Sequence, residues 1–145
     1  MSEFSQSTVI IEAPIADIQK TLTALDKYPE WSAQIKSAEG LETDDQGRIT
    51  KIKMSIDAGM MKDRVVLDYD WSQAPEKIIF SLEEADLLTS MDGAYTLKSI
   101  DSDSTEVTYE LGVSLSMSIP DMMRKKAEKA TIDAALAQLK SHLEG

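Results

Sequence analysis

The chain has 145 residues, with 26 acidic against 15 basic side chains, a net charge of −11 and no cysteine. That length suits one domain spanning residues 1–145 and needing no covalent staple, while the missing cysteines exclude disulfides and thiolate metal sites and make the cytoplasm the expected compartment. So acidic a surface, with a sequence pI near 4.5, repels nucleic acid and anionic membrane, and only Arg124, Lys125 and Lys126 form a basic cluster against it.

In chain order, "TVIIE" (8–12) predicts a first strand. Pro14 suits a helix's first turn, where its missing N–H is not needed. Ile15, Ile18, Leu22 and Leu25 then recur at helical spacing. In "DKYPEW" (26–31), Asp26 is positioned to cap a second short helix with Pro29 in its first turn. Tyr28, Trp31 and Ile35 share one side of that corner. The opening residues lack the basic start and long apolar stretch of a signal peptide, and no apolar run approaches the roughly 20 residues that span a bilayer.

A series of alternating segments follows. Ile35–Leu41 is a short strand, and "TDDQG" reads as a hairpin turn. Ile52, Met54 and Ile56 share one face of the next segment, opposite Lys51 and Lys53. "DAGMM" is a glycine-containing loop. Val65, Leu67, Tyr69 and Trp71 then alternate with polar neighbours, as do Phe80 and Leu82. Gly93, Tyr95 and Leu97 share a face, and so do Val107, Tyr109, Leu111, Val113 and Leu115. Such alternation means an antiparallel sheet with one wet face, whose dry face needs a cover. The cover is a long last helix reaching Leu143. Ser118 is its expected cap, and Ile132, Leu136, Leu139 and Leu143 are its apolar stripe.

This order resembles the helix-grip superfamily of START and birch-allergen-type proteins (SRPBCC), in its polyketide-cyclase/dehydrase-like branch. The resemblance rests on "VIIEAPIADIQKTLTALDKYPEW", "MDGAYTL", "TEVTYEL" and "SIPDMMRKKAEKA" in that sequence. It implies an α+β fold. A strongly curved antiparallel sheet of six to seven strands would wrap around a long C-terminal helix, with two short helices after the first strand. It further implies an apolar cavity between sheet and helix, and a V of the short helices plugging one end, where Trp31 packs. The family pattern often carries tryptophan where this chain has Tyr95.

Small-molecule sites combine apolar walls with a few placed polar groups. Here the expected walls are Ile52, Met54, Ile56, Leu67, Phe80, Leu82 and Leu97. The phenols of Tyr69, Tyr95 and Tyr109 are the polar handles, since a buried phenol needs a hydrogen-bond partner. Met123, Ala127, Ala130, Thr131 and Ala134 leave the first half of the long helix small or flexible toward the sheet, which predicts a void there. Met60 and Met61, beside Gly59, suit a flexible apolar lid. Arg64 opens its strand on the wet parity, and a bulge at "MMKDR" would turn it inward as a charged ligand contact.

Signs of catalysis are sparse. The single histidine, His142, sits in the last turn of the last helix, where a cation suits the helix end. Glu39 and Glu84 are acid/base candidates only if their strand ends turn inward. "DSDST" has alternating oxygens but no glycine or glutamate at the calcium-loop positions. No HExxH, GxSxG, phosphate-loop or GxGxxG pattern exists, and no cofactor or metal is expected. The leading expectation is therefore a binder of a small hydrophobic molecule of lipid, polyketide or aromatic type. An aromatase/cyclase-type enzyme is the first alternative. A module that clamps a protein partner on the same fold is the second.

Overall fold

The computed structural model describes residues 4–57, 62–115 and 119–145. Its seven strands are Ser5–Ile11 (β1), Ile35–Thr43 (β2), Ile49–Asp57 (β3), Lys62–Asp70 (β4), Lys77–Ala85 (β5), Leu88–Asp101 (β6) and Ser104–Leu115 (β7). Helix α1 (Ile15–Thr23) and a 3₁₀ helix (Leu25–Glu30) separate β1 from β2, and α2 (Asp121–Glu144) follows β7. All strands pair antiparallel in one curved sheet, ordered β1-β7-β6-β5-β4-β3-β2. From β2 to β7 each strand therefore pairs with the next in sequence, and the two helices after β1 carry the chain from one edge to the other. No helix among the described residues is long and apolar enough to cross a membrane.

The period-2 pattern sets which face is dry. Ile52, Met54, Ile56, Val65, Leu67, Tyr69, Ile78, Phe80, Tyr95, Leu97, Val107, Tyr109 and Leu111 are all buried. Turn chemistry sets the register. Asp44 Oδ1 accepts from the backbone N–H of Gln46 and Arg48, both at 2.9 Å. Gly47 takes φ = 82° there, a region that residues with a β-carbon disfavour. In "DSDS", Asp101 Oδ1 accepts from Asp103 N and Ser104 Oγ, so that carboxylate holds its own turn.

Helix α1 buries Ile18 and Leu22, and the 3₁₀ helix buries Leu25 and Tyr28. The Tyr28 hydroxyl donates to Leu22 O at 2.6 Å, fixing the corner between the two helices. Helix α2 lies across β1 and β7. Ser7 Oγ donates to Asp133 Oδ1 at 2.6 Å, and Lys129 Nζ and Lys140 Nζ donate at 2.7 Å to Gln6 O and Ile10 O. The apolar stripe of α2 buries Ile132, Ala135, Leu136 and Leu139.

Three local expectations need correction. β1 starts at Ser5, earlier than the apolar run suggests, because its first residues pair with β7 as far as Leu111. Asp26 does not cap the short helix. The turn already begins at Leu25, so Asp26 lies inside it, exposed, and the capping position falls to Ala24 with no side-chain bond. The position before α2 is Pro120, also without a side-chain cap, and the expected cap Ser118 lies outside the described residues.

Candidate functional site

Between α2 and the sheet is a cavity of about 320 Å³, near the lower end of the range for small-molecule pockets, roughly 300–1,000 Å³. Its position follows from where α2 rests. The helix packs on β1 and β7, and its second half carries the large apolar side chains. Its first half presents Met123, Ala127, Ala130 and Thr131 to the cavity, and the space between them and the sheet stays open. Met123, Ala127 and Ala130 line the hollow yet are exposed, which places its mouth along this half of α2.

Of the residues expected from the sequence, Met54, Ile56, Leu67, Tyr69, Phe80, Tyr95, Tyr109, Met123, Ala127 and Thr131 lie on the cavity wall. Ile52 and Leu97 are buried in the packed core outside that wall, and Leu82 is half-buried outside it. Ala135 lines the wall where Ala134 was expected. Met60 and Met61 lie outside the described residues.

Arg64 points away from the cavity. β3 and β4 pair without a register break from Lys51↔Asp68 to Asp57↔Lys62, so no bulge in the paired strand turns it. Its side chain is exposed and meets Asp86 Oδ2 at 3.3 Å. Parity sends Asp63 inward instead, where its carboxylate accepts from the backbone N–H groups of Arg64, Asp86, Leu87 and Leu88. Glu39, Glu84 and His142 are exposed.

Aromatic rings form one side of the wall. Tyr95 and Tyr109 are a cross-strand pair, stacked with centroids 4.1 Å apart and planes 11° from parallel. Phe80 sits beside Tyr69 at 5.4 Å and Tyr109 at 6.4 Å. Burial pushes the Tyr28, Tyr69, Tyr95 and Tyr109 phenols above the ordinary tyrosine pKa, because a phenolate there would lose its hydration. Trp31 closes one end, tilted against Tyr28 at 5.0 Å. Its Nε1 is buried and, among the described residues, is the one buried side-chain polar atom without a hydrogen-bond partner.

The sequence that builds this site matches a known family. Residues 11–140 fit the sequence family described as polyketide cyclase / dehydrase and lipid transport. The chain belongs to that family. As a polyketide cyclase/dehydrase and lipid transport family member it also has close structural likenesses. A START superfamily protein from Mycobacterium smegmatis superposes with a TM-score of 0.92 at 20% identity, over 97% of each chain. The Zhui aromatase/cyclase from Streptomyces sp. R1128 gives 0.75 at 15% identity, over 98% of this chain and 96% of the other. BexL, a di-domain aromatase/cyclase of the BE-7585A biosynthetic pathway, gives 0.79 at 14% identity, over 98% of this chain and 46% of its own. At these identities the likeness shows the fold. No curated protein matches the chain in sequence.

Two wall residues of this family member escape a reading by periodicity. Glu128 is fully buried in α2. Its Oε1 accepts from Ser5 Oγ at 2.8 Å, and its Oε2 from Val113 N at 2.8 Å and Arg124 Nη1 at 3.0 Å. Val113 N–H stands two residues past Leu111, the partner of Ser5, and donates to this carboxylate. Arg124 stands one turn earlier on the same face and also lines the cavity. The available signal was the apolar stripe itself: stepping back four from Ile132 gives Glu128, and four more gives Arg124.

Proposed function

We propose that this protein binds a small, predominantly apolar molecule of lipid, polyketide or aromatic type in the cavity between the sheet and α2, as a cytosolic receptor or carrier. The cavity itself carries the reading: about 320 Å³ of space walled largely by Met, Leu, Ile, Val, Ala and aromatic side chains. A hollow of that size among apolar groups forfeits packing contacts that an apolar guest restores. The Tyr69, Tyr95 and Tyr109 hydroxyls supply orientation, and burial supplies the affinity.

Binding is favoured over cyclisation by the state of the carboxylates. Glu39 and Glu84 face solvent. Glu128 is at the wall, but both its oxygens are held by donors, which suits a fixed carboxylate rather than a proton shuttle.

Native mass spectrometry of protein purified from its own host tests the reading. The expected result is a co-purified small molecule, retained less well when Tyr69, Tyr95 or Tyr109 is replaced by Phe. Empty protein that also takes up no apolar probe overturns it. A mass gain unaffected by all three Phe variants removes the phenols from the site.

A further inference from the structure

The largely apolar cavity wall carries one charged arrangement, near its mouth. Among the described lining residues the charged ones are Arg124 and Glu128, one turn apart on α2. They have different roles. Glu128 is wholly inside and its two oxygens accept from three donors, two of which, Ser5 Oγ and Val113 N, belong to the sheet. Its position is therefore set by β1 and β7 as well as by its own helix. Arg124 has donors to spare among the described residues. A guanidinium carries five N–H donors. Glu128 takes one through Nη1 at 3.0 Å, and Asp121 Oδ1 stands 3.7 Å from Nη2, beyond hydrogen-bond reach. Nε and Nη2 thus have no acceptor within reach among the described residues. The side chain is 23% exposed, at the wall, on the half of α2 that borders the mouth.

We infer that Arg124, held in place by Glu128, anchors the acidic head group of an amphipathic ligand whose apolar body lies under the sheet. The ligand class is a monocarboxylate with a hydrocarbon or aromatic tail. This rests on the reading of the cavity as a ligand site and adds which end of the ligand faces out. The chemistry favours a carboxylate over a neutral polar group for two reasons. A guanidinium presents donors in a fixed planar fork that fits two carboxylate oxygens at once. A neutral wall would instead penalise a carboxylate, since burying that charge without a partner costs more than burying a hydroxyl. Asp121, 86% exposed and 3.7 Å from Nη2, makes no hydrogen bond there and leaves that donor open to a ligand oxygen. Glu128 acts as a positioning residue: it fixes the guanidinium without touching the ligand.

Isothermal titration with decanoate and 1-decanol at neutral pH tests this on the unmodified protein. The two probes share a tail and differ in the head. The expected result is decanoate binding about tenfold or more tighter than decanol, as charge-assisted bonds to the guanidinium require. In the double variant Arg124→Leu/Glu128→Gln, which removes both charges together, the preference for decanoate over decanol disappears. Arg124→Lys, which keeps the ion pair but loses the fork, retains part of the preference. Equal binding of both probes, or a decanol preference, by the unmodified protein overturns the inference and leaves the cavity reading standing. Binding of neither probe overturns both. A decanoate preference that survives in the double variant assigns the head group elsewhere and overturns the role of Arg124.

Discussion

The ring of Phe80 occupies the space that a side chain at Gly93 would need. The two residues pair across β5 and β6, and a β-carbon on Gly93 would stand 2.3 Å from Phe80 Cζ. Glycine at position 93 thus lets an aromatic ring lie over a neighbouring strand and form part of the cavity wall. Gly93→Ala should destabilise the fold by about 1–3 kcal/mol, the usual range for overpacking a core. In a Phe80→Leu background the same change should cost measurably less. Urea unfolding of the four proteins in this cycle decides it: strictly additive effects would mean that ring and β-carbon do not compete.

Glu128 joins three elements through one side chain. Glu128→Ala strands Arg124 and leaves Ser5 Oγ and Val113 N–H without their acceptor. The expected loss is about 3–5 kcal/mol, as for breaking a buried ion pair from one side. Glu128→Gln retains an acceptor oxygen and should lose less. Chemical denaturation of both variants gives the comparison, and an Ala variant no weaker than a surface substitution would contradict the assignment.

Asp63 does for the β5–β6 turn what Glu128 does for α2. Its two oxygens accept from the N–H groups of Asp86, Leu87 and Leu88 at 2.9–3.2 Å. Asp63→Ala should cost roughly 2–4 kcal/mol, since hydrogen bonds to a charged acceptor are individually stronger than neutral ones. Amide exchange at Asp86, Leu87 and Leu88 should accelerate more than at the β6–β7 pairs. Unchanged protection at those three amides would count against the bonds.

All four tyrosines of the chain are buried with raised pKa values, burial being the first cause in each. The folded state therefore keeps its phenols protonated where the unfolded chain, titrating near 10, has begun to lose protons. Their contribution to stability is complete below about pH 10 and declines as pH rises above it, by about 1.4 kcal/mol per pH unit for each phenol. Tyrosinate absorbance should appear only together with the loss of folded structure. A phenolate signal in still-folded protein would show that a ring is accessible to solvent.

The sheet was legible in the sequence because its pattern has period two and its wet face is strongly polar. Tyr69, Tyr95 and Tyr109 fall on one parity in three separate strands, and all three reach the same wall. The open half of α2 was legible from its small residues for a similar reason: Ala127 and Thr131 cannot fill the space that Leu136 and Leu139 fill further along. What could not be read was charge placed inside. Their charge assigns Glu128 and Arg124 to solvent although the apolar stripe of α2 runs through both, and the donors that draw the carboxylate in, Ser5 Oγ and Val113 N–H, come from strands outside the helix, Ser5 from the far end of the chain. Arg64 failed for the opposite reason. Its inward turn needed an irregular strand, whereas β3 and β4 pair evenly and simple alternation held, sending Asp63 in and Arg64 out.

β1 is an edge strand whose pairing partner, β7, lies a hundred residues onward, as between Thr8 and Thr108. During synthesis the hairpins from β2 to β6 can zip up in turn as they emerge from the ribosome. β1 has no sheet to join until β7 is translated, and Ile11, wholly buried in the finished protein, waits without its contacts until then. Closure across so long a loop is entropically slow. The earliest strand thus waits on one of the last, and its docking on β7 supplies half of the seat on which α2 rests and beneath which the hollow opens.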